Sequence, residues 1–292
     1  VPGEFELIEW FRSQQTPSPL VQLGSGDDLA ILQWPKDDLL LVGVDQVIDG
    51  VHFDSTIHSP TRIGRKVMNR NLSDCAAMGC LPAAAVATVA LPRNISTQAV
   101  QELYLGMKTA ADVWDCPIVG GDTASWDGKL VATVTILGRS AGITPVRRTG
   151  AKPRDGIYVT GPLGGSILGR HLDFIPRIDL GRKLAPVATA MIDISDGLSR
   201  DLRHICNGAV LEAAAIPIHP DAIELSHRDS ISPLEHALND GEDYELLFTS
   251  SQTPPVGIRI GTIQQEPGIW LHTPDNKSIP LQSRGWEHRV HG

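Results

Sequence analysis

Asp27 and Asp28 stand side by side in LGSGDDLAIL, directly after Gly24 and Gly26 and directly before an apolar run. Adjacent carboxylates repel each other, and a run bound for a core is a poor medium for either charge unless something positive faces them. The same placement recurs along the chain. Asp45 follows LLLVGV, Asp122 follows IVGG, Asp193 and Asp196 lie at the end of AMIDISD, and Glu242 and Asp243 open EDYELLF. Asp74 lies on a helical stretch, three residues from Asn71 and so on the same face. A single Asp-Gly, as at 196–197, is an ordinary turn or cap, and GDD alone carries little. Together, acids repeated at strand–turn junctions, in a chain too acidic to supply them with partners, form a set of hard oxygen ligands. Magnesium takes such ligands and usually bridges a few carboxylates to substrate phosphates. The chemistry implied is magnesium-assisted work on phosphate.

The chain has 292 residues, a net charge of −9 and Lys and Arg scattered rather than segregated, which argues against a nucleic-acid partner. Such a surface also repels phosphorylated small molecules, so cations must neutralise the site locally. There is no GxxxxGK[ST] loop and no kinase-type GxGxxG. Phosphates would be held through metal, glycine-turn amides and a few basic groups such as Arg148. No apolar stretch reaches the roughly 18 residues of a membrane helix. The four cysteines, Cys75, Cys80, Cys116 and Cys206, show no CxxC spacing and suit a reducing cytoplasm better than a disulfide framework or zinc site.

Elements must hold these residues. PGEFELIEWF reads as a helix packing Phe5, Leu7, Ile8 and Phe11, and LAIL and DLLLVGVD read as short buried strands. Ser59-Pro60 opens a helix whose inner face is Ile63, Val67, Leu72, Cys75 and Ala76. AAAVATVALP is a strand, and Thr97 opens a second helix with Val100, Leu103, Tyr104 and Met107 inward. CPIVGGDT is a strand entering a glycine turn; Leu130, Ala132, Val134 and Ile136 alternate along a half-exposed strand. A polar, glycine-rich stretch near RRTGAKPRDG sets a domain boundary near residue 145, giving domains 1–145 and 146–292. In the second, IYVTG, AMIDIS and YELLFTS are strands, and Leu198, Leu202 and Ile205 line one helix face. Strands and helices mixed in both halves argue for a two-domain α+β or α/β protein.

GEFELI, LGSGDDLAIL, VDQVIDGVHF, NLSDCAAMG, IVGGDT, RRTGAKPRDGIYVTGPLG, AMIDISDGLSRDLRHI, GEDYELLFT and GWEH follow one another in this chain. In that order they resemble the thiamine-monophosphate kinase family over nearly the whole length. The resemblance implies an aminoimidazole-ribonucleotide synthetase-like fold of two α/β domains. It also implies a homodimer in which the N-terminal domains pair into an intersubunit β-barrel, while the C-terminal domain completes the active-site cleft. The implied reaction is phosphorylation of thiamine monophosphate by ATP, by direct in-line transfer with no covalent enzyme nucleophile. Matched by motif, Asp28, Asp45, Asp74, Asp122, Asp193 and Asp196 would be ligands for several Mg²⁺ ions, with Asp27 supporting Asp28. Gly121, Asp122, Arg148, Ser195 and Tyr104 would contact ATP; His52, Glu242 and Trp286 would contact the thiamine side.

The chain departs from the family pattern at four places. Gly43-Val44 stands where a hydroxyl residue usually precedes the aspartate matching Asp45, and the segment between GPLGGSILG and RHLDFIPR is shortened. Asp173-Phe174 replaces Arg-Pro, and Asp240 replaces a glycine. Gly43-Val44 motivates a second reading, a protein that binds nucleotide or thiamine phosphate without turnover. A third is a related ATP-dependent enzyme acting on another phosphorylated small molecule. The relatives that use a reactive N-terminal or C-terminal cysteine do not fit, because the first cysteine is Cys75 and the chain ends HRVHG.

Overall fold

A computed structural model describes residues 4–24 and 29–286, with side chains from Leu7 onward in the first segment. Asp27, Asp28 and the side chain of Phe5 lie outside the described residues. The chain forms two compact units: Val1–Cys75 with Cys80–Gly142, and Ala76–Gly79 with Ile143–Gly292.

The first unit begins with α1 (Glu4–Ser13), β1 (Val21–Leu23), β2 (Ile31–Leu32) and β3 (Leu40–Ile48). It continues through α2 (Pro60–Met78), β4 (Leu81–Pro92), α3 (Thr97–Asp112), β5 (Ile118–Trp126) and β6 (Val131–Arg139). β3, β6, β4 and β5 form a four-stranded sheet in that order, parallel only between β4 and β5. Ser96 caps α3 by accepting the Ala99 N–H at 3.1 Å. The inner faces of α2 and α3 carry the residues their periodicity assigns, from Ile63 to Ala76 and from Val100 to Met107, all buried. The two helices cross at glycines: a Cβ on Gly64 would meet the Leu103 carbonyl at 2.0 Å, and one on Gly106 the Thr61 carbonyl at 2.1 Å. Only the absence of a side chain allows that approach.

Several sequence expectations are corrected here. LAIL is not a buried strand: β2 holds two residues, pairs only with β1, and leaves Leu29 and Ile31 exposed. DLLLVGVD is not buried on both faces; Leu40, Val42 and Val44 are 54%, 63% and 61% exposed while alternate residues turn toward α2. An antiparallel sheet with one covered face produces that alternation. Ile8 is exposed, and the aromatic contacts of α1 are made by Trp10 and Phe11 against Tyr104. IVGGDT contains no turn, because β5 runs straight through Gly120-Gly121. A Cβ on Gly121 would meet the Ala87 carbonyl at 2.0 Å, so glycine lets β5 lie close against β4.

The second unit contains β7 (Gly156–Val159), α4 (Arg170–Asp173), α5 (Ile178–Leu184), β8 (Ala190–Asp193), α6 (Leu198–Ile205) and β9 (Gly208–Glu212). After these come α7 (Pro220–Asp229), α8 (Pro233–Asn239), β10 (Leu246–Ser250), β11 (Ile258–Ile263), β12 (Gly268–His272) and β13 (Ser278–Pro280). Its seven-stranded sheet runs β13-β12-β9-β11-β7-β10-β8. Ile157, Val159, Ile192 and Leu247 from the strands pack with Leu198, Leu202 and Ile205 of α6. β10 lies antiparallel between β7 and β8, so the end of β8, the start of β10 and the end of β7 share one edge of the sheet. Among the described residues no helix is long and apolar enough to cross a membrane.

Candidate active site

In the first unit, β3 and α2 bring Asp45 and Asp74 together. The Asp45 N–H donates to Asn71 Oδ1 at 3.1 Å, and Asp74 Oδ2 lies 3.6 Å from where a Cβ on Gly43 would stand. Asp45 sits within β3 rather than at its end, and it has a cation: Arg70 Nε lies 3.2 Å from its Oδ2. The expectation that these acids lack cationic partners is thus corrected at Asp45. A side chain at Gly43 would make only ordinary contacts, with Ile136 at 3.5 Å and Asp74 at 3.6 Å, so packing does not impose the glycine.

Gly121 and Asp122 stand elsewhere on the sheet. The register row through Asp45 runs Val134, Ala87, Gly121, and the neighbouring row ends at Asp122 beside Thr88. Three strand spacings separate Asp45 from Gly121, about 14 Å. The described residues of this unit therefore do not bring Asp122 to the Asp45–Asp74 pair. Tyr104 is buried against Trp10 and Phe11, and burial, then the charge of Asp112, pushes its hydroxyl up to about 12. His52 is held in its loop: its Nδ1 accepts the Ile48 N–H at 3.1 Å, and its carbonyl accepts buried Lys66 Nζ at 2.6 Å.

In the second unit four expected residues meet. Asp193 ends β8 and is buried; Ser195 and Asp196 form the turn into α6. The Glu242 N–H donates to the Ser195 carbonyl at 2.8 Å, and the Trp286 N–H donates to the Asp196 carbonyl at 2.9 Å. About half of Trp286 is exposed. Arg148 is exposed and follows Arg147, whose carbonyl accepts the Met191 N–H at 3.1 Å.

Two residues beside this turn were not read from the sequence. Asp201 Oδ2 accepts the N–H groups of Asp196 and Gly197 at 3.0 and 3.1 Å, and ligating atoms of Asp196, Asp201 and His204 lie within 4.8 Å of one another. Burial, then the charges of Asp193 and Asp196, push Asp201 up to about 8. Ligating atoms gathered this closely suit a divalent cation, so the residues present fit the expected magnesium. The available signal was Asp201 itself, an acid interrupting the apolar face between Leu198 and Leu202.

A cavity of about 240 Å³ adjoins the start of β10, lined by Arg170, Phe174, Arg177, His219, Asp243 and Glu245 among others. Asp243 Oδ1 accepts the Gly164 N–H at 2.9 Å and Arg170 Nη2 at 3.0 Å, while its buried Oδ2 has no hydrogen-bond partner among the described residues. Burial outweighs Arg170 and raises Asp243 to about 7. The unfolded carboxyl ionises near 3.8. Between these values the folded state binds the extra proton, so this group's contribution to stability falls as pH rises from about 4 to 7. Asp243→Asn should therefore gain stability relative to the wild type across that window. Melting temperatures of both proteins at matched pH values check this; a difference that stays flat or reverses contradicts it.

Residues 26–140 match the model of the AIR synthase related protein, N-terminal domain. The chain is 38% identical to the thiamine-monophosphate kinase of Rhodopirellula baltica, over 98% of this chain and 97% of that one. It superposes on a solved thiamine-monophosphate kinase from Stenotrophomonas maltophilia at TM-score 0.79 and 31% identity, covering 95% and 98% of the two chains. A structure of AaThiL complexed with AMPPCP and TMP matches at TM-score 0.78 and 28% identity, covering 98% and 97%. The mixed α/β architecture is thus that of the AIR synthase-like enzymes, and this chain belongs to the thiamine-monophosphate kinase family.

Proposed function

We propose that the protein transfers the γ-phosphoryl group of ATP to thiamine monophosphate, forming thiamine diphosphate and ADP. The carrying observation is the Ser195-Asp196 turn, to which backbone hydrogen bonds join both Glu242 and Trp286. Those backbone bonds support a reading in which the Ser195 hydroxyl serves the nucleotide, the Asp196 carboxylate the metal, and Glu242 and Trp286 the organic cation. A substrate phosphate oxygen forms the new bond to the γ-phosphorus as the bond to the ADP oxygen breaks. Such transfer needs positioning and charge neutralisation, not a protein nucleophile.

Asp28, Asp45, Asp74, Asp122, Asp193 and Asp196 would hold magnesium, which when bound offsets the charge of the two phosphorylated substrates. Arg70 already pairs Asp45 and holds that carboxylate in place. The Gly121 amide, Arg148, the Ser195 hydroxyl and the Tyr104 hydroxyl would contact the nucleotide. Trp286 would stack on the thiazolium ring; Glu242 would accept hydrogen bonds from the substrate, with His52 on the same side. We also assign a cytoplasmic homodimer, two copies meeting through the outer face of β3 and its sheet.

The decisive assay incubates purified protein with ATP, Mg²⁺ and thiamine monophosphate and resolves the products by chromatography. Thiamine diphosphate should appear in step with ADP. The room left beside Asp74 by Gly43 favours a second reading, binding without turnover. Nucleotide binding with no diphosphate would select that second reading.

A further inference from the structure

The turn Glu242–Glu245 is strained. Glu242 and Tyr244 have φ of 51° and 52°, after Gly241 at 73°. Side chains as large as these rarely adopt left-handed backbone, and such strain persists only where the surroundings over-determine it. One segment supplies a side-chain partner to every residue of the turn. His171 Nδ1 lies 3.2 Å from Glu242 Oε2; Arg170 Nη2 lies 3.0 Å from Asp243 Oδ1. Phe174 stacks on Tyr244 with centroids 3.8 Å apart and planes 12° apart, and Arg177 Nη2 lies 2.5 Å from Glu245 Oε1. Each of the four turn residues is gripped by a different side chain from residues 170–177.

Most of these groups are withdrawn from solvent, but the Glu242 carboxylate keeps part of its surface open. Tyr244 Oη donates to Glu242 Oε1 at 3.3 Å, so one oxygen is aimed by the tyrosine and the other by the histidine. A carboxylate fixed on both oxygens meets a ligand donor at one place only. His171 itself is 1% exposed, too deep to touch a substrate directly.

We propose that His171 is a positioning residue for Glu242, and that residues 170–177 form a template fixing this carboxylate against the hydrogen-bond-donating end of the phosphate-accepting substrate. The proposal rests on the kinase reading above. It also assigns a role to Asp173-Phe174, where the family carries Arg-Pro: Phe174 supplies the ring beneath Tyr244.

Steady-state kinetics test it, with each substrate varied while the other is saturating. His171→Ala should raise KM for thiamine monophosphate about tenfold and leave KM for ATP within twofold. His171→Asn, which can still offer an N–H to Glu242, should restore most of the loss. In a Glu242→Gln background, His171→Ala should have little further effect, since contacting residues couple in a double-mutant cycle. Unchanged KM in the alanine variant overturns the proposal. So does a parallel rise in both KM values with a lowered melting temperature, or an undiminished effect in the Glu242→Gln background. Should the alanine variant not fold, the asparagine variant and the single Glu242→Gln decide: an asparagine variant with a lowered affinity for ATP as well overturns the template. A wild type that neither binds nor phosphorylates thiamine monophosphate defeats the kinase reading itself, and is told apart because every variant result presupposes wild-type turnover.

Discussion

Asp196→Asn should lower the conversion of thiamine monophosphate at least about 100-fold while the protein stays folded. The two parts of this expectation have separate causes. Asp196 makes its structural contacts through the backbone: its N–H donates to Asp201 and its carbonyl accepts from Trp286. Asparagine keeps both bonds and nearly the same volume, so the turn should survive. What it removes is the charge. Burial, and then the charges of Asp193 and Asp196, hold Asp201 far above the usual carboxylate range, so removing one charge relieves repulsion and should raise the melting temperature slightly without metal. In the wild type Mg²⁺ should raise the melting temperature, because a ligand bound only by the folded state stabilises it. The variant should lose most of that response. A variant retaining more than a tenth of wild-type turnover, or an unaltered thermal response to Mg²⁺, would contradict the assignment of Asp196 to the metal.

Local pattern and long-range pairing were unequally legible in the sequence. Helix faces could be read directly, since Ile63, Val67 and Leu72, or Leu198, Leu202 and Ile205, recur at helical spacing and each proved buried. The apolar run in β3 could not be told from a doubly buried strand, because the uncovered valines are as apolar as the covered positions. Gly120-Gly121 reads as a turn wherever glycine is taken as a breaker; the actual role of Gly121, close approach to β4, depends on a strand more than thirty positions earlier. β9, β11, β12 and β13 lacked any clear signal and follow from the sheet they complete.

The site divides the same way. Motif order located Asp193, Ser195, Asp196, Glu242 and Trp286, and the fold joins the last four through two backbone bonds. The cations were invisible. Arg70, Arg170 and Arg177 reach their acids across 25, 73 and 68 positions, and no local pattern encodes such partners. The inference from acids without cations to metal was therefore too strong at Asp45 and Asp243, and stands best at the turn after β8, where ligating atoms of Asp196, Asp201 and His204 gather within 4.8 Å.

Val44→Lys should convert a wild-type dimer to a monomer at micromolar concentration, weakening association at least about 100-fold, which corresponds to about 2.7 kcal/mol. Val44 projects from the outer face of β3 with Val42 and Leu40, forming an apolar row that no described residue of its own unit covers. A row of this kind is costly to leave in water and suited to a facing sheet. In a two-fold assembly each substitution enters the interface twice, and two ammonium groups would then lose water. The folded chain should tolerate the change, because the side chain is already mostly solvated within one copy. Val113→Lys is the matched control: this valine, at the end of α3, is equally exposed but lies off the sheet, so its lysine should leave the mass unchanged. Sedimentation of the three proteins distinguishes the cases. A monomeric wild type, or a Val44→Lys protein that remains dimeric, would remove the outer face of β3 from the interface, and a loss of mass in Val113→Lys would move the interface to α3.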